Sequence, residues 1–199
     1  MLTLAFDTAT DVATSALVRD GEVLGERASR AVRILDDFEG LLTEAGLRAD
    51  AVEGIVVGRG PGSYTGLRMG LVTARTLSFS LGVPVAGVST LDALAEGAPG
   101  AVPVIDGRRS EVFTLVADEP SVLRAEELVV ERGRTYVGDG AVRYRETIEE
   151  AGGAVPDDDD SGHVPWARHH AALANDFGPA ERAEPIYLRL PDAEKALRT

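Results

Sequence analysis

Short apolar runs and helical periodicities alternate along the first hundred residues of the chain. Runs of apolar and β-branched residues predict strands, and apolar residues spaced three and four apart predict helices. The second and third predicted strands meet at Asp20-Gly21, a dipeptide typical of a tight hairpin. The predicted strands cover 2–7, 13–18, 22–27, 55–57 and 83–88, and the predicted helices cover 31–45, 65–81 and 90–96.

This order of elements predicts an α/β fold with a mixed sheet. Three strands come first and are followed by alternating helices and strands, which differs from the simple alternation of a doubly wound nucleotide-binding sheet. The order matches one half of the architecture shared by actin, sugar kinases and Hsp70. The actin-like ATPase superfold is therefore the predicted fold class, with two lobes that each hold a mixed sheet opened by a β-hairpin and flanked by helices.

A change in composition near position 100 predicts the boundary between the two lobes. Small and helix-breaking residues gather there, and the apolar run that follows ends in Asp106 as the first strand ends in Asp7. This repeat hints at an internal duplication. The predicted lobes are 1–99, with the glycine-rich segment and two long helices, and a smaller one over 100–199, with an acidic loop and the C-terminal tail.

The charge balance limits how the chain can take part in nucleic-acid chemistry. The formal net charge is -13, with 33 acidic residues against 20 lysines and arginines. A protein that binds a nucleic acid by itself needs a basic patch, so any contact of this chain with a nucleic acid is expected to be indirect, through a partner. Plain solvation of an acidic surface explains the same charge without any partner.

Several classes of protein are disfavoured by composition. The chain has no cysteine, which excludes disulfides, thiolate zinc sites and cysteine nucleophiles. No apolar run approaches the ~18 residues of a membrane helix, and the N-terminus lacks the pattern of a secretory signal. We therefore expect a soluble cytoplasmic protein that does not contact a membrane.

A glycine-rich segment lies between the predicted strand 55–57 and the long helix after it. Glycines on both sides of Pro61 allow an irregular turn whose backbone N–H groups can point at one anion. Gly60, Gly62 and Ser63 are therefore candidates for binding phosphate. The segment lacks the Gly-Lys-Ser/Thr of a Walker loop, and an ordinary strand-to-helix turn is the competing interpretation.

Five segments, in order, resemble the TsaB/YeaZ family, and together they extend over nearly the whole chain. That family is paralogous to TsaD, the catalytic subunit of the bacterial machinery that makes N6-threonylcarbamoyladenosine on tRNA. The segment with the most specific match is the glycine-rich one. The five are LAFDTAT (4–10), GRGPGSYTGLRMG (58–70), GVSTL (87–91), IDGRRSEVF (105–113) and PIYLR (185–189).

The resemblance implies a scaffold or activator subunit without chemistry or a cofactor of its own. Such a subunit pairs with the TsaD-type catalytic subunit and helps to assemble the TsaE-type ATPase and tRNA. The complex then transfers a threonylcarbamoyl group to the adenosine beside the anticodon. When TsaD is absent, the same face of the family's members can pair two copies into a homodimer.

The first turn departs from the pattern of active kinases and ATPases of this superfold. Those proteins begin with Asp-x-Gly-Thr, where glycine lets the backbone approach the nucleotide phosphates, whereas this chain has Ala9 at the glycine position. Asp7, Thr8 and Thr10 are therefore interpreted as a vestigial phosphate or nucleotide site. Local hydrogen bonds that cap the turn are the alternative role for Asp7 and Thr8.

Metal chemistry is disfavoured at the position where the catalytic paralogue binds its metal. That paralogue has two histidines four residues apart on one side of a helix, and Thr90 and Leu94 occupy those positions here. Because leucine has no lone pair, we predict no metal site. The three histidines of the chain, His163, His169 and His170, are expected to be solvated or to cap turns.

Two alternative functions remain open from the sequence. One is an ATP-dependent small-molecule kinase of the same fold, which nucleotide binding by the isolated chain would reveal. The other is a glycoprotease-like peptidase that uses Ser63 and one of the histidines, although no Gly-x-Ser-x-Gly elbow is present. Metal analysis of the purified chain would detect a metal-dependent peptidase.

The two long helices have apolar residues beyond a single stripe, which predicts that they contact a partner as well as the core. The competing interpretation is that all of these residues are core. In the resembled family the helices form a four-helix contact with TsaD, and Arg30-Ala31 departs from the His-Ser/Thr that commonly begins the first helix there. The predicted interface residues are Ile34, Phe38, Leu42, Gly66, Met69, Gly70, Val72 and Thr73.

Overall fold

The computed structural model describes residues 1–189. The first five strands of the chain form one mixed sheet. These strands are β1 (Leu2–Asp7), β2 (Ala13–Arg19), β3 (Glu22–Ser29), β4 (Gly54–Gly58) and β5 (Val85–Val88). Their order in the sheet is β3-β2-β1-β4-β5. Antiparallel pairing joins β1, β2 and β3, and parallel pairing joins β1, β4 and β5. The predicted strands and the hairpin at Asp20-Gly21 are confirmed.

The second sheet repeats the opening of the first. Its strands are β6 (Val102–Arg108), β7 (Glu111–Val116), β8 (Glu119–Arg124) and β9 (Tyr136–Val137), in the order β8-β7-β6-β9. An antiparallel meander comes first, and β9 pairs in parallel with β6. The sequence pattern does not predict β8, because that strand is half-buried and lacks a run of apolar residues.

Six α-helices lie in the described part of the chain. The first begins three residues later than predicted, because 31–33 form a 3₁₀ turn. Gly46 follows it in the left-handed conformation, with φ of 66°, as is typical of a glycine that ends a helix. The helices are α1 (Ile34–Glu44), α2 (Tyr64–Leu81), α3 (Thr90–Gly97), α4 (Asp139–Arg143), α5 (Arg145–Glu150) and α6 (Ala167–Leu173).

Both faces of the first sheet are covered by helices. On one face α1 and α2 pack over a core in which the rings of Phe6 and Phe38 meet edge to face, with centroids 5.1 Å apart. On the other face α6 packs against β1 and β2, around Ala5, Ala16 and Ala167. A segment from the second half of the sequence therefore contributes to the N-terminal core. The division into domains at 99/100 stays a prediction, and 190–199 lie outside the described residues.

The interface prediction must be corrected at four residues that are buried in the chain's own core. Ile34, Phe38 and Leu42 form the inner side of α1, and Gly70 lies on the inner side of α2. A partner cannot reach these side chains in the folded chain. The competing interpretation, an internal core, is correct for them.

Gly66 also requires correction, because it allows a close contact within the chain. A Cβ atom at Gly66 would overlap the carbonyl oxygen of Thr8, and one at Gly70 would overlap the Thr8 hydroxyl. The Thr8 hydroxyl donates to the carbonyl oxygen of Gly66 at 2.8 Å. Gly66 and Gly70 of α2 therefore accommodate the turn after β1.

Truncating side chains on the two sides of α1 should change the free energy of unfolding by very different amounts. Phe38 is 4% exposed, so Phe38→Ala should lower the free energy of unfolding by about 3–5 kcal/mol. Leu35 is 57% exposed, so Leu35→Ala should change it by less than about 0.5 kcal/mol. Urea denaturation of the isolated chain measures both values. Equal effects would show that the inner and outer sides of α1 have been misassigned.

Candidate functional site

The Asp7 carboxylate lies at the end of β1, in the turn where kinases and ATPases of this fold approach phosphate, and it is only 1% exposed. Its Oδ2 accepts a hydrogen bond from the Thr90 hydroxyl at 2.6 Å and contacts Nε2 of His170 at 2.7 Å. Its Oδ1 accepts from the backbone N–H of Ala9 at 2.5 Å. Both oxygens are thus engaged by the chain itself and removed from solvent.

Burial and hydrogen bonding act in opposite directions on the pKa of Asp7. Burial alone raises it, because a desolvated carboxylate is unfavourable. The charge of His170 and the hydrogen bonds from His170, Thr90 and Ala9 outweigh burial, and they hold the pKa below its ordinary value of 3.8. The site therefore favours an ionised Asp7 that is neutralised from within the chain.

His170 reaches this site from α6 and is fully buried. Its second ring nitrogen, Nδ1, contacts the carbonyl oxygen of Trp166 at 3.2 Å. His163 is also buried, and its Nδ1 accepts from the N–H of Gly138 at 3.0 Å. The expectation of solvated histidines is therefore wrong for His163 and His170, whereas the expected capping role fits His163, which accepts the Gly138 N–H just before α4.

One signal in the sequence points to His170. Ala167, His170, Ala171 and Ala174 follow the spacing of a buried helix face, which places the imidazole on the same side as the small apolar residues. Its pairing with Asp7, 163 positions away, has no local signal in the sequence. The carboxylate partner is set by the way α6 packs on the first sheet.

The two positions that correspond to the paralogue's metal-binding histidines have structural roles here. Thr90 donates to Asp7, and Leu94 is buried beside Leu91, Ile105 and Phe113. Within 1–189, no cluster of three or more histidine, aspartate or glutamate side chains has an arrangement that could hold a metal ion.

The glycine-rich turn directs its polar groups toward the chain itself. The N–H of Ser63 donates to the carbonyl oxygen of Ala9 at 2.7 Å, and the carbonyl oxygen of Gly60 accepts from the N–H of Thr90 at 2.9 Å. A Cβ atom at Gly62 would overlap the Ala9 backbone. The Ser63 hydroxyl caps α2 by accepting from the N–H of residue 66 at 3.4 Å.

The residues predicted to bind phosphate are thus brought together, but mainly to build the turn. The Thr8 hydroxyl is committed to α2, and the Thr10 hydroxyl donates to the carbonyl oxygen of Val12 at 2.9 Å. No histidine among residues 1–189 hydrogen-bonds the Ser63 hydroxyl, so the described part of the chain does not contain the serine–histidine pair of the peptidase alternative.

A cleft of about 480 Å³ lies between the two sheets. Its charged lining residues are of both signs: Asp11, Asp106, Asp139, Arg108 and Arg189. Burial, followed by repulsion from Asp106 and Asp11, raises the pKa of Asp139 to about 6. The carboxylates of Asp106 and Asp11 are both paired with the Arg108 guanidinium.

The two walls of the cleft are also held together directly. The Arg108 guanidinium donates to both carboxylate oxygens of Asp11 at 2.7 Å. The segment 185–189 contacts both sheets. The N–H of Ile186 donates to the carbonyl oxygen of Arg59, just after β4, at 2.7 Å, and the Arg189 guanidinium donates to the carbonyl oxygen of Gly107 in β6 at 2.7 Å. The C-terminal motif therefore links the two sheets.

Comparison with known proteins gives consistent matches over most of the chain. The family model of TsaD, tRNA N6-adenosine threonylcarbamoyltransferase, matches residues 9–132. The tRNA threonylcarbamoyladenosine biosynthesis protein TsaB of Escherichia coli K12 is 32% identical over 99% of this chain and 98% of its own length. TsaB of Bacillus subtilis is 29% identical over 98% of this chain and 96% of its own.

The solved structure of YeaZ from Pseudomonas aeruginosa has the same fold. It superposes with a TM-score of 0.77 at 30% identity, covering 94% of this chain and 99% of the YeaZ chain. The predicted actin-like fold class is confirmed. None of the helices within 1–189 combines the length and apolar character needed to span a bilayer.

Because the pKa of Asp7 is lowered in the folded chain, the difference in stability between the wild-type chain and Asp7→Asn should depend on pH. The folded pKa lies below the unfolded value, so the carboxylate's stabilisation is present above about pH 4 and is lost as pH falls through the folded pKa. Asp7→Asn should cost about 1.5–3 kcal/mol at neutral pH, and the deficit should shrink in acid. Urea unfolding at a series of pH values measures it.

Asp36→Asn is the matched control, because the Asp36 side chain is 69% exposed and only loosely paired with Arg33. The Asp36→Asn variant should have the same free energy of unfolding as the wild-type chain at every pH. An Asp7→Asn deficit that is equal at neutral and acidic pH would mean that the carboxylate's charge does not stabilise the fold.

Proposed function

The chain belongs to the TsaB family of tRNA threonylcarbamoyladenosine biosynthesis proteins, and we propose that it is a non-catalytic scaffold or activator subunit of the bacterial complex that makes this nucleoside. It acts in the cytoplasm and pairs with the TsaD-type catalytic subunit and the TsaE-type ATPase. The complex transfers the threonylcarbamoyl group to the adenosine beside the anticodon. When the catalytic subunit is absent, two copies of the chain pair through the same face.

The main support for a non-catalytic role is that the Asp7 carboxylate is buried and hydrogen-bonded within the chain. A phosphate-binding or metal-binding carboxylate must be able to reach its ligand, and both oxygens of Asp7 are buried against Thr90, His170 and the Ala9 backbone. The turn N–H of Ser63 is likewise directed at the chain itself. These contacts argue against the kinase alternative, which needs the same groups for ATP.

The outer sides of α1 and α2 supply the surface for pairing. Val32 and Leu35 are 76% and 57% exposed, and Val72 is 61% exposed on the neighbouring helix. Met69 and Thr73 are half-buried on α2. We call these five residues the paired-helix surface. Apolar side chains on two helices that cover the same face of a sheet fit a helical partner.

The net charge of -13 supports an indirect role toward tRNA. Phosphate contacts require lysine or arginine, and many arginines of this chain are already paired with its own carboxylates, as in Arg27–Glu44 and Arg168–Glu26. The catalytic partner supplies the positive surface for tRNA in this proposal.

Val72→Arg separates association from folding. Since Val72 is exposed, the variant should melt at the temperature of the wild-type chain. In a desolvated contact the unpaired charge should weaken binding to the TsaD-type subunit of the same organism by at least about a hundredfold. Circular dichroism and a quantitative pull-down against that subunit measure the two effects.

Val129→Arg is the matched control, because Val129 is 82% exposed and belongs to the second half of the chain. It should leave both melting and binding unchanged. Normal melting with full binding for Val72→Arg would show that the partner uses another face. No binding by the wild-type chain would contradict the proposed function itself.

A further inference from the structure

Residues 178–189, which we call the strap, run from the first sheet to the second. Gly178 makes an antiparallel bridge to Val85 on the edge strand β5, with both backbone hydrogen bonds formed, at 2.9 and 3.0 Å. A 3₁₀ turn, Ala180–Arg182, then packs against β5 and α2. The strap ends at the second sheet, where the Arg189 guanidinium contacts β6 and β7.

The part of the strap that crosses the cleft is anchored on both sides. On the side of the first sheet, the N–H of Ile186 donates to the carbonyl oxygen of Arg59. On the side of the second sheet, the Arg189 guanidinium donates to a backbone carbonyl of β6 and pairs with Glu111. Leu188, next to that anchor, packs against a core cluster formed by α3 and the second sheet. The position of the strap therefore depends on both sheets.

Tyr187 connects the strap to the first residue of α2. Its ring contacts the ring of Tyr64, with the centroids 5.4 Å apart and the ring planes inclined by 34°. The Arg68 guanidinium also lies over the Tyr64 ring, 4.4 Å from its centroid. Tyr64 and Tyr187 are 39% and 43% exposed, so neither ring is held by burial in the core. The contact between the rings therefore restrains the exposed side of the first turn of α2.

The first turn of α2 is weakly capped. The N–H groups at the start of a helix have no acceptor within it, and the Ser63 hydroxyl accepts from one of them at a long 3.4 Å. On the inner side the Thr8 hydroxyl holds the turn by donating to one of its carbonyl oxygens at 2.8 Å. Order on the outer side depends on contacts from outside the helix, such as that of Tyr187. Met69 and Val72 of the paired-helix surface follow directly after this turn.

We infer that Tyr187 is a positioning residue for partner recognition: through Tyr64 the strap orders the first turn of α2, and so presents the paired-helix surface in the orientation that the partner binds. The inference rests on the proposed function, and it adds a link between that surface and the relative position of the two sheets. Because the strap is anchored on each sheet, loosening its second-sheet anchor also loosens the ring contact. Partner binding orders the strap in return, since coupling between two sites is reciprocal.

Tyr187→Ala tests the ring contact itself. Without the second ring, the backbone amides of residues 67–70 should exchange hydrogen for deuterium at least about fivefold faster, because the first turn of α2 opens more often. Tyr187→Phe keeps the ring and should exchange at the wild-type rate. The amides of residues 38–44 in α1 are an internal reference that should not change. Nuclear magnetic resonance of the isolated chain measures these rates.

Arg189→Ala tests the strap at a distance from α2. It removes the second-sheet anchor and leaves both tyrosine rings in place, and it should also speed exchange at residues 67–70, by at least about threefold. Arg182→Ala is the matched control, because the Arg182 side chain is 59% exposed and pairs with Asp176, close to the start of the strap. Its exchange rates should equal those of the wild-type chain. Circular dichroism melts show whether each variant folds.

Binding to the TsaD-type subunit completes the test. Tyr187→Ala should weaken this binding by at least about fivefold, because the first turn must then be ordered on association, and Tyr187→Phe should bind as the wild-type chain does. Unchanged exchange at residues 67–70 in Tyr187→Ala or Arg189→Ala would overturn the inference, and so would faster exchange with unchanged binding. Absence of binding by the wild-type chain would instead contradict the proposed function, and the exchange rates would still show whether the strap orders α2.

Discussion

The buried carboxylate of Asp7 is the constraint on which the rest of the structure depends. A charge removed from water must be compensated, and the compensation comes from the Thr90 hydroxyl, the His170 ring and the Ala9 N–H. These groups lie on the third helix, on the sixth helix and in the turn after the first strand. One interaction thus ties the C-terminal part of the chain onto the first sheet and orders the turn beside it.

The same interaction determines where function can reside. A carboxylate held by three internal donors is unsuited to hold a metal ion or the phosphates of a nucleotide. The fold keeps the shape of an ATPase while its chemical groups serve stability. Apolar and charged side chains on the outer sides of α1 and α2 face solvent, and this is the surface that we propose for pairing.

The sequence predicted the elements and the fold better than it predicted the faces of the helices. Strands such as β1 and β4 are continuous apolar runs, and helix ends are marked by glycines such as Gly46 and Gly82. Periodicity cannot distinguish a core side from a partner side when both are apolar, so Phe38 was assigned to an interface although it is core. The pairing of Asp7 with His170 depends on long-range packing, which no local pattern encodes.

We propose that the chain acts by pairing and that its cleft takes no part in chemistry. The most direct measurement is threonylcarbamoylation of tRNA by the catalytic partner, reconstituted with saturating Thr10→Ala/Asp139→Asn chain. This variant removes a hydroxyl and a carboxyl group from the cleft and leaves α1 and α2 untouched. We expect this variant to support threonylcarbamoylation at the rate measured with the wild-type chain. A variant that folds and binds the partner normally, yet lowers the rate by more than about tenfold, would contradict it.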